Sequence, residues 1–446
     1  MIYFIPRCRW GQFNTIIYCT VTATLGYFVL FVAVLSYDIH GYFHHTPVFL
    51  GLALVALGNG ASAPCISSFV GDQMQPLVNN AKTLNQQAKA EHQVSSLYRW
   101  FYLSYNIGAI FGTIVIPILV QYRTYREAYG VLLFVALMAL ILFLLGGGVY
   151  HKIPPARLNL GSMLTPGSPD RTSLAAIFRV FLPLPIFWAL FYNMPSLWTF
   201  SAMHLERRVG AYEIPAGQVT VLNPLFDILL IPVFEFFIYP SIEKCQGGPL
   251  RPLTRIVIGM LFTAIALIAA GVLETQVVRA AHLTAGTGAR LISTTAATLS
   301  PMTSSAHGAA PTVVFLEEAT AAAASKISVF WQVPQYIFMS VGEIMVSITA
   351  LEYAYTQAPP KLKGVTMALF FFTQAIGNEL VAVIALLHVG SAAAQYFFFA
   401  AVMVAFMLVF SFVNWSTLCS RPPPRQLMVT DPNEDDLLDE SHDHEL

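Results

Sequence analysis

Long apolar runs separated by short polar stretches dominate the pattern along this chain. A helix rises about 1.5 Å per residue, so about 20 apolar residues cross the roughly 30 Å hydrocarbon core of a bilayer. Ten runs meet that length: 13–37, 47–70, 97–122, 128–150, 176–203, 218–240, 253–274, 328–356, 362–388 and 392–417. The pattern predicts an all-α transmembrane protein, a helical bundle of about ten spans. Segment 71–96 is polar and rich in helix formers, which predicts an amphipathic cytoplasmic helix. Segment 151–175 carries Pro154, Pro155, Gly161, Pro166, Gly167 and Pro169, the punctuation of a linker. It divides a four-span bundle, 1–150, from a six-span bundle, 176–417. Segment 275–327 is rich in Ala, Thr and Ser and low in charge, and reads as a flexible extracellular loop. The tail 418–446 ends in an acidic stretch and reads as disordered. Pro117, Pro183, Pro185, Pro195, Pro224, Pro232 and Pro334 fall inside spans. In lipid each carbonyl freed by a proline needs a neighbour, so such breaks mark packing sites or moving helices.

Composition agrees with burial in lipid. Apolar residues make up 56% of the 446, charged residues 11%, and mean hydropathy is +0.63. Soluble domains carry about 25% charged residues. The net charge of −1 offers no basic patch for nucleic acid. The 5 cysteines form neither a disulfide framework nor a zinc site. No catalytic motif occurs, so the chain does not read as an enzyme. Lys and Arg stay on the cytoplasmic side of membranes. With the N-terminus inside, seven of the 23 basic residues fall outside, namely Arg123, Arg126, Arg207, Arg208, Arg279, Arg290 and Lys326, and the other sixteen fall inside. Both termini are therefore expected in the cytoplasm.

A charge at the centre of a span costs about 2.5–3.5 kcal/mol on insertion scales, so one that is kept has a reason. The spans hold Asp227, Glu235, Glu343, Glu352 and Glu379. From its place in a span, Glu343 reads as a protonated acid bonded across helices. Glu352, nine residues on, points to another face. Asn223 and Asp227 share a face at i and i+4, where an amide can bond a neighbouring helix. Tyr98, Tyr102, Tyr105 and Asn106 form a polar-aromatic stripe. Within it Tyr98 reads as an interfacial anchor, and the others as helix-packing residues. His40, His44 and His45 lack a fourth ligand and read as a solvated loop, so no metal site is expected.

The runs FYLSYNIGAIFGTIVIP (101–117), FWALF (187–191), WTFSA (198–202), LNPLFDILLIPVFEFFIYP (222–240) and WQVPQYIFMSVGEIMVSITALEYAYTQAP (331–359) resemble, in order, motifs of the proton-coupled oligopeptide transporters of the major facilitator superfamily. GDQ (71–73) and PC (64–65) match the end of that family's fourth helix. The resemblance implies symport of di- and tripeptides by alternating access, with the proton as coupling ion and no other cofactor. The expected partners are short peptides and the lipid bilayer, for a monomer in the plasma membrane rather than the lysosomal one. It also implies roles. Glu343 would pair with the peptide's amino terminus, Tyr102, Asn106 and Asn223 would line the pocket, and Trp198 would stack on substrate side chains. Glu235 and Glu352 would be gating or structural, and Glu379, an addition to the family pattern, is a candidate proton site.

Departures accompany the likeness. WGQFNT (10–15) resembles the loop after the family's second helix, so the first two helices and their proton-coupling E-x-x-E-R motif have no counterpart here. Ala63 and Leu197 stand where the family has a lysine and an arginine. The alternative expectation is thus a transport-incompetent membrane protein, a fragment, regulator or scaffold.

Overall fold

The computed structural model describes residues 4–40, 45–80, 83–153, 168–247, 250–298, 327–359, 362–386 and 391–415. Among the described residues ten helices are long and apolar enough to cross a membrane: Gly11–Tyr37, His45–Asp72, His92–Val120, Tyr125–Gly148, Arg171–Met203, Ala216–Gln246, Pro252–Ala280, Val329–Thr356, Lys363–Val381 and Ala392–Val413. They are called the first to tenth spans. Each overlaps one of the ten apolar runs.

Helix starts follow local chemistry. Thr83 and Gln86 form a reciprocal capping box ahead of Leu84, and the side chains of Thr124, Ser168 and Ser391 cap three further helices. These oxygens satisfy backbone N–H groups that have no partner within the helix. Gly11 has φ 74°, so the chain turns there before the first span, a conformation glycine adopts without steric cost.

Two expected boundaries are corrected. The polar segment 71–96 is not one separate helix. A short helix covers Gln75–Asn79, and from Leu84 onward the chain is already the helix that continues to Tyr122 as the third span. The capping box sets that start, and no glycine or proline intervenes before Gly108. The seventh helix does not stop at 274 but runs Pro252–Thr298, because its Ala-rich continuation has high helix propensity despite two glycines. The remainder of the expected loop, the core of the linker at 154–167 and the tail beyond 415 lie outside the described residues. The side chains of His40 and His44 do as well, and among the described residues no group of three or more His, Cys, Asp or Glu could hold a metal.

Prolines break some of the spans as the pattern predicts, whereas Pro117 lies inside the uninterrupted helix Leu84–Tyr122. The fifth is interrupted at Pro183 and Pro195, and the sixth changes winding after Pro232. Single π turns occupy Met194–Trp198, Phe234–Ile238 and Ile344–Ile348. A π turn adds one residue and rotates everything after it, and such turns concentrate at functional sites. The third of them begins directly after Glu343. Between the fifth and sixth spans a two-residue antiparallel pair, Arg208–Val209 with Tyr212–Glu213, turns at Gly210 (φ 62°).

The first span packs on the second and fourth, the fifth on the ninth, and the seventh on the eighth and tenth. Contacts of third with sixth and of second with ninth join the earlier spans to the later ones. The core sits around the eighth span, 78% of whose most apolar stretch is buried, against 6% in the third and fourth. Close approach explains part of this. A Cβ on Gly342 would lie 2.3 Å from Thr263 Oγ1 and 2.9 Å from the Gly259 carbonyl, so the seventh and eighth spans meet backbone to backbone.

Candidate functional site

Three spans converge on one carboxyl group. Glu343 closes a helical stretch of the eighth span, Val333–Glu343, and is buried. The Tyr102 hydroxyl, from the third span, donates to Glu343 Oε1. Asn223 Nδ2, from the sixth span, donates to Glu343 Oε2 at 2.9 Å. The Asn223 amide also contacts Ser340 Oγ at 3.1 Å, and Ser340 Oγ donates back to the Asn223 carbonyl at 3.1 Å. Asp227, one turn beyond Asn223, is completely buried. Its carboxyl lies within reach of Glu343 and Ser340, yet neither of its oxygens has a bonded donor. Tyr105 stands beside Tyr102 with ring centroids 6.1 Å apart. Tyr192, stacked on Trp188 at 5.7 Å, lies within electrostatic reach of Glu343 and Tyr105.

The geometry joins Tyr102, Asn223 and Glu343 directly. Asn106 is buried one turn from Tyr102, and its amide donates to the Tyr102 carbonyl at 3.1 Å. Trp198 does not join the cluster. It is 1% exposed, meets Tyr336 edge to face at 4.8 Å, and accepts from Gln332 Nε2 through its carbonyl at 3.0 Å. Glu379 is exposed on the ninth span.

A second polar cluster lies about two turns away along the third and sixth spans. Arg99, 4% exposed, forms an ion pair with Glu235, which also accepts from Ser96 Oγ at 2.9 Å. Arg255 Nη1 lies 3.5 Å from Glu352 Oε2. Both guanidinium groups face the Tyr239 ring, at 5.6 Å and 4.6 Å from its centroid. Nearby, Tyr355 donates to Asp72 Oδ1 at 3.0 Å, linking the eighth span to the second. Tyr98 is fully buried there, donating to the Ser67 carbonyl at 3.0 Å. It is therefore not the interfacial anchor that its position along the sequence suggests. A Tyr at a span end is equally suited to close a helix crossing when a neighbour offers a carbonyl. The contacts of Arg99 and Ser96 with Glu235 and of Tyr355 with Asp72 tie earlier spans to later ones at one end of the bundle.

Asp227 as neighbour of Glu343, Ser340 as the link to Asn223, and Tyr192 were not identifiable from spacing, because each contact crosses helices. A buried Glu274 on the seventh span, bonded by Ser201 Oγ at 2.7 Å, was also missed. It lies at the edge of an apolar run, where a carboxylate reads as the start of a loop.

Comparison with known proteins places this arrangement. The chain matches the family model of the POT family over residues 13–165 and 167–399. Solute carrier family 15 member 1 of Mus musculus is 27% identical over 317 aligned positions, covering 60% of this chain and 43% of that protein. Peptide transporter 3 of Caenorhabditis elegans is 30% identical over 310 positions, covering 60% and 42%. The chain thus spans less than half the length of these two relatives. Peptide transporter family 1 of Drosophila melanogaster is 23% identical over 596 aligned positions, covering 90% of this chain and 78% of that protein. Among solved structures, an auto-inhibited POT family peptide transporter has a TM-score of 0.62 at 22% identity, covering 95% of this chain and 87% of that one. A POT family transporter in complex with a thioalcohol conjugated peptide has a TM-score of 0.58 at 16% identity, covering 92% and 87%. These structures show the fold, a major-facilitator-like bundle, to which the described residues contribute ten helices able to cross a membrane. The family match runs through both sets of spans, and on it the chain belongs to the POT family.

Proposed function

We propose that this protein carries di- and tripeptides across a membrane by alternating access, with Glu343 as partner of the peptide's ammonium group. The observation that carries this reading is the position of Glu343. It is a buried carboxyl held by Tyr102 of the third span and Asn223 of the sixth, where earlier and later spans meet. A site shared by two sets of helices is the one that rocking of those sets exposes to each side in turn. The ion pair of Arg99 with Glu235 and the bond from Tyr355 to Asp72 close one end and must break for that end to open. Relatives named peptide transporters support the substrate class. The proton is the proposed coupling ion, with no other cofactor and no enzymatic step. The protein acts as a monomer in the bilayer of the plasma membrane.

A second reading, a membrane protein without transport activity, draws on Ala63 and Leu197. Both are uncharged, and Leu197 packs against the core, so neither pairs with a peptide's carboxylate. The two readings part in counterflow. Proteoliposomes loaded with unlabelled dipeptide should take up labelled dipeptide by exchange, faster than protein-free vesicles. Exchange no faster than in protein-free vesicles would leave the second reading. Accumulation that collapses with an uncoupler would add proton drive.

Orientation is proposed with both termini cytoplasmic and 275–327 extracellular, from the Lys and Arg bias. An epitope inserted beside Ser304 should label in intact cells, and one appended after Leu446 should label only after permeabilisation. The reverse pattern would invert the topology.

A further inference from the structure

We propose that the Asp227 and Glu343 carboxyls act together as a receptor for one ammonium group, in a pocket suited to substrates without a carboxylate. C-terminally amidated short peptides are the class that fits. The inference rests on the carrier reading and deepens it by naming the substrate's charge.

The argument begins with a census of donors. Glu343 receives the Tyr102 hydroxyl on one oxygen and the Asn223 amide on the other. Ser340 has a single hydroxyl hydrogen, and it goes to the Asn223 carbonyl. Nothing is left for Asp227, both of whose oxygens are buried without a bonded donor. A fully buried carboxyl in that position is accommodated by a hydrogen shared with its neighbour, and Glu343 is within reach. Two such carboxyls cannot both be ionised at low cost without a proton or a cation between them. An ammonium group brings three N–H donors and one positive charge. It matches that deficit in both hydrogen bonds and charge, with Asp227 supplying the acceptors that Glu343 has already committed.

Among the described residues the rest of the surroundings offers no complement for an anion. The charged groups that act on Tyr102, Tyr105 and Tyr192 are carboxyls, Glu343 and, for Tyr102, Asp227 as well. Arg99 is the one Lys or Arg among the fully buried described residues, and its charge is engaged by Glu235 and the Tyr239 ring. A peptide carboxylate would sit unpaired beside two carboxyls. A terminal amide is neutral and meets hydroxyls and amides, which donate and accept.

The test uses the full chain, purified in detergent and monodisperse by size exclusion. Binding of alanylalanine, its C-terminal amide and the N-acetylated amide is measured by titration calorimetry. The amide should bind at least about tenfold more tightly than the free acid, and the N-acetylated amide should not bind. Asp227→Asn keeps the shape and can donate to Glu343, so a purely structural Asp227 would leave amide affinity unchanged. The proposal expects this variant to weaken amide binding about tenfold while its melting temperature is retained. Free acid binding as tightly as the amide would overturn the substrate class and leave the carrier reading standing. Unchanged amide affinity in Asp227→Asn would overturn the pairing. No binding by the acid or the amide would end the carrier reading, and this inference with it.

Discussion

Glu343→Gln is expected to reduce dipeptide counterflow at least about a hundredfold, which corresponds to about 2.7 kcal/mol of lost binding. The replacement keeps the shape of the side chain. The glutamine carbonyl can accept from Tyr102 or Asn223, so the crossing of the third, sixth and eighth spans keeps most of its bonds. What disappears is the carboxylate that Tyr102 and Asn223 hold with their donors; Asp227 remains, but no bonded donor supports a charge on it. An ammonium group that meets only so poorly supported a counter-ion in a buried site pays several kcal/mol of uncompensated desolvation. The measurement is counterflow in proteoliposomes containing equal amounts of native and variant protein, with thermal unfolding in detergent as a control for folding. Native-level exchange by the variant would remove Glu343 from substrate recognition.

Arg99→Met is expected to lower stability by about 3–5 kcal/mol, the usual consequence of stranding one partner of a buried ion pair. Glu235 would keep the Ser96 hydroxyl and lose its cation. The Tyr239 ring would lose one of the two guanidinium groups facing it. Removing both charges in Arg99→Met/Glu235→Leu should restore most of the loss, because no unpaired ion then remains in the interior. Thermal or denaturant unfolding in detergent reads both variants. Equal instability of the single and double replacements would mean that packing around Arg99, and not its charge, holds the third span to the sixth. The Arg255 and Glu352 pair is longer, at 3.5 Å, and its loss should cost less.

The ten spans were legible because membrane insertion depends on local composition. A run of about 20 apolar residues finds its lowest free energy across the bilayer whatever its neighbours are. The prolines at 183, 195 and 232 were legible as breaks for an equally local reason, since the ring removes a donor wherever it sits. Glu343 and Asn223 stood out as polar groups in apolar surroundings, and the motifs around them pointed to the family. Boundaries were less legible. The start at Leu84 depends on the cap between Thr83 and Gln86, and the helix through Thr298 on a balance of Ala against Gly that hydropathy does not weigh.

Partnership was decided only by tertiary structure. Successive residues on a helix point about 100° apart, so the face a side chain presents follows from how its helix is rotated against its neighbours. That rotation is set by close approaches such as Gly259 against Gly342, and reset by the π turns. Asp227 was visible as a buried acid on the face of Asn223, but its neighbour lies on another helix. The bond from Asn223 to Glu343 spans 120 residues of sequence and that from Ser96 to Glu235 spans 139. Tyr98 and Tyr102 differ by one turn and look alike in sequence, yet one closes a crossing on a backbone carbonyl and the other holds a carboxylate. Sequence alone determined which stretches are long and apolar enough to cross a membrane and which polar groups they carry in. The packing of helices against each other determined which of those groups meet, because a charge in lipid has no water to fall back on and is stable only where a neighbouring helix supplies its complement.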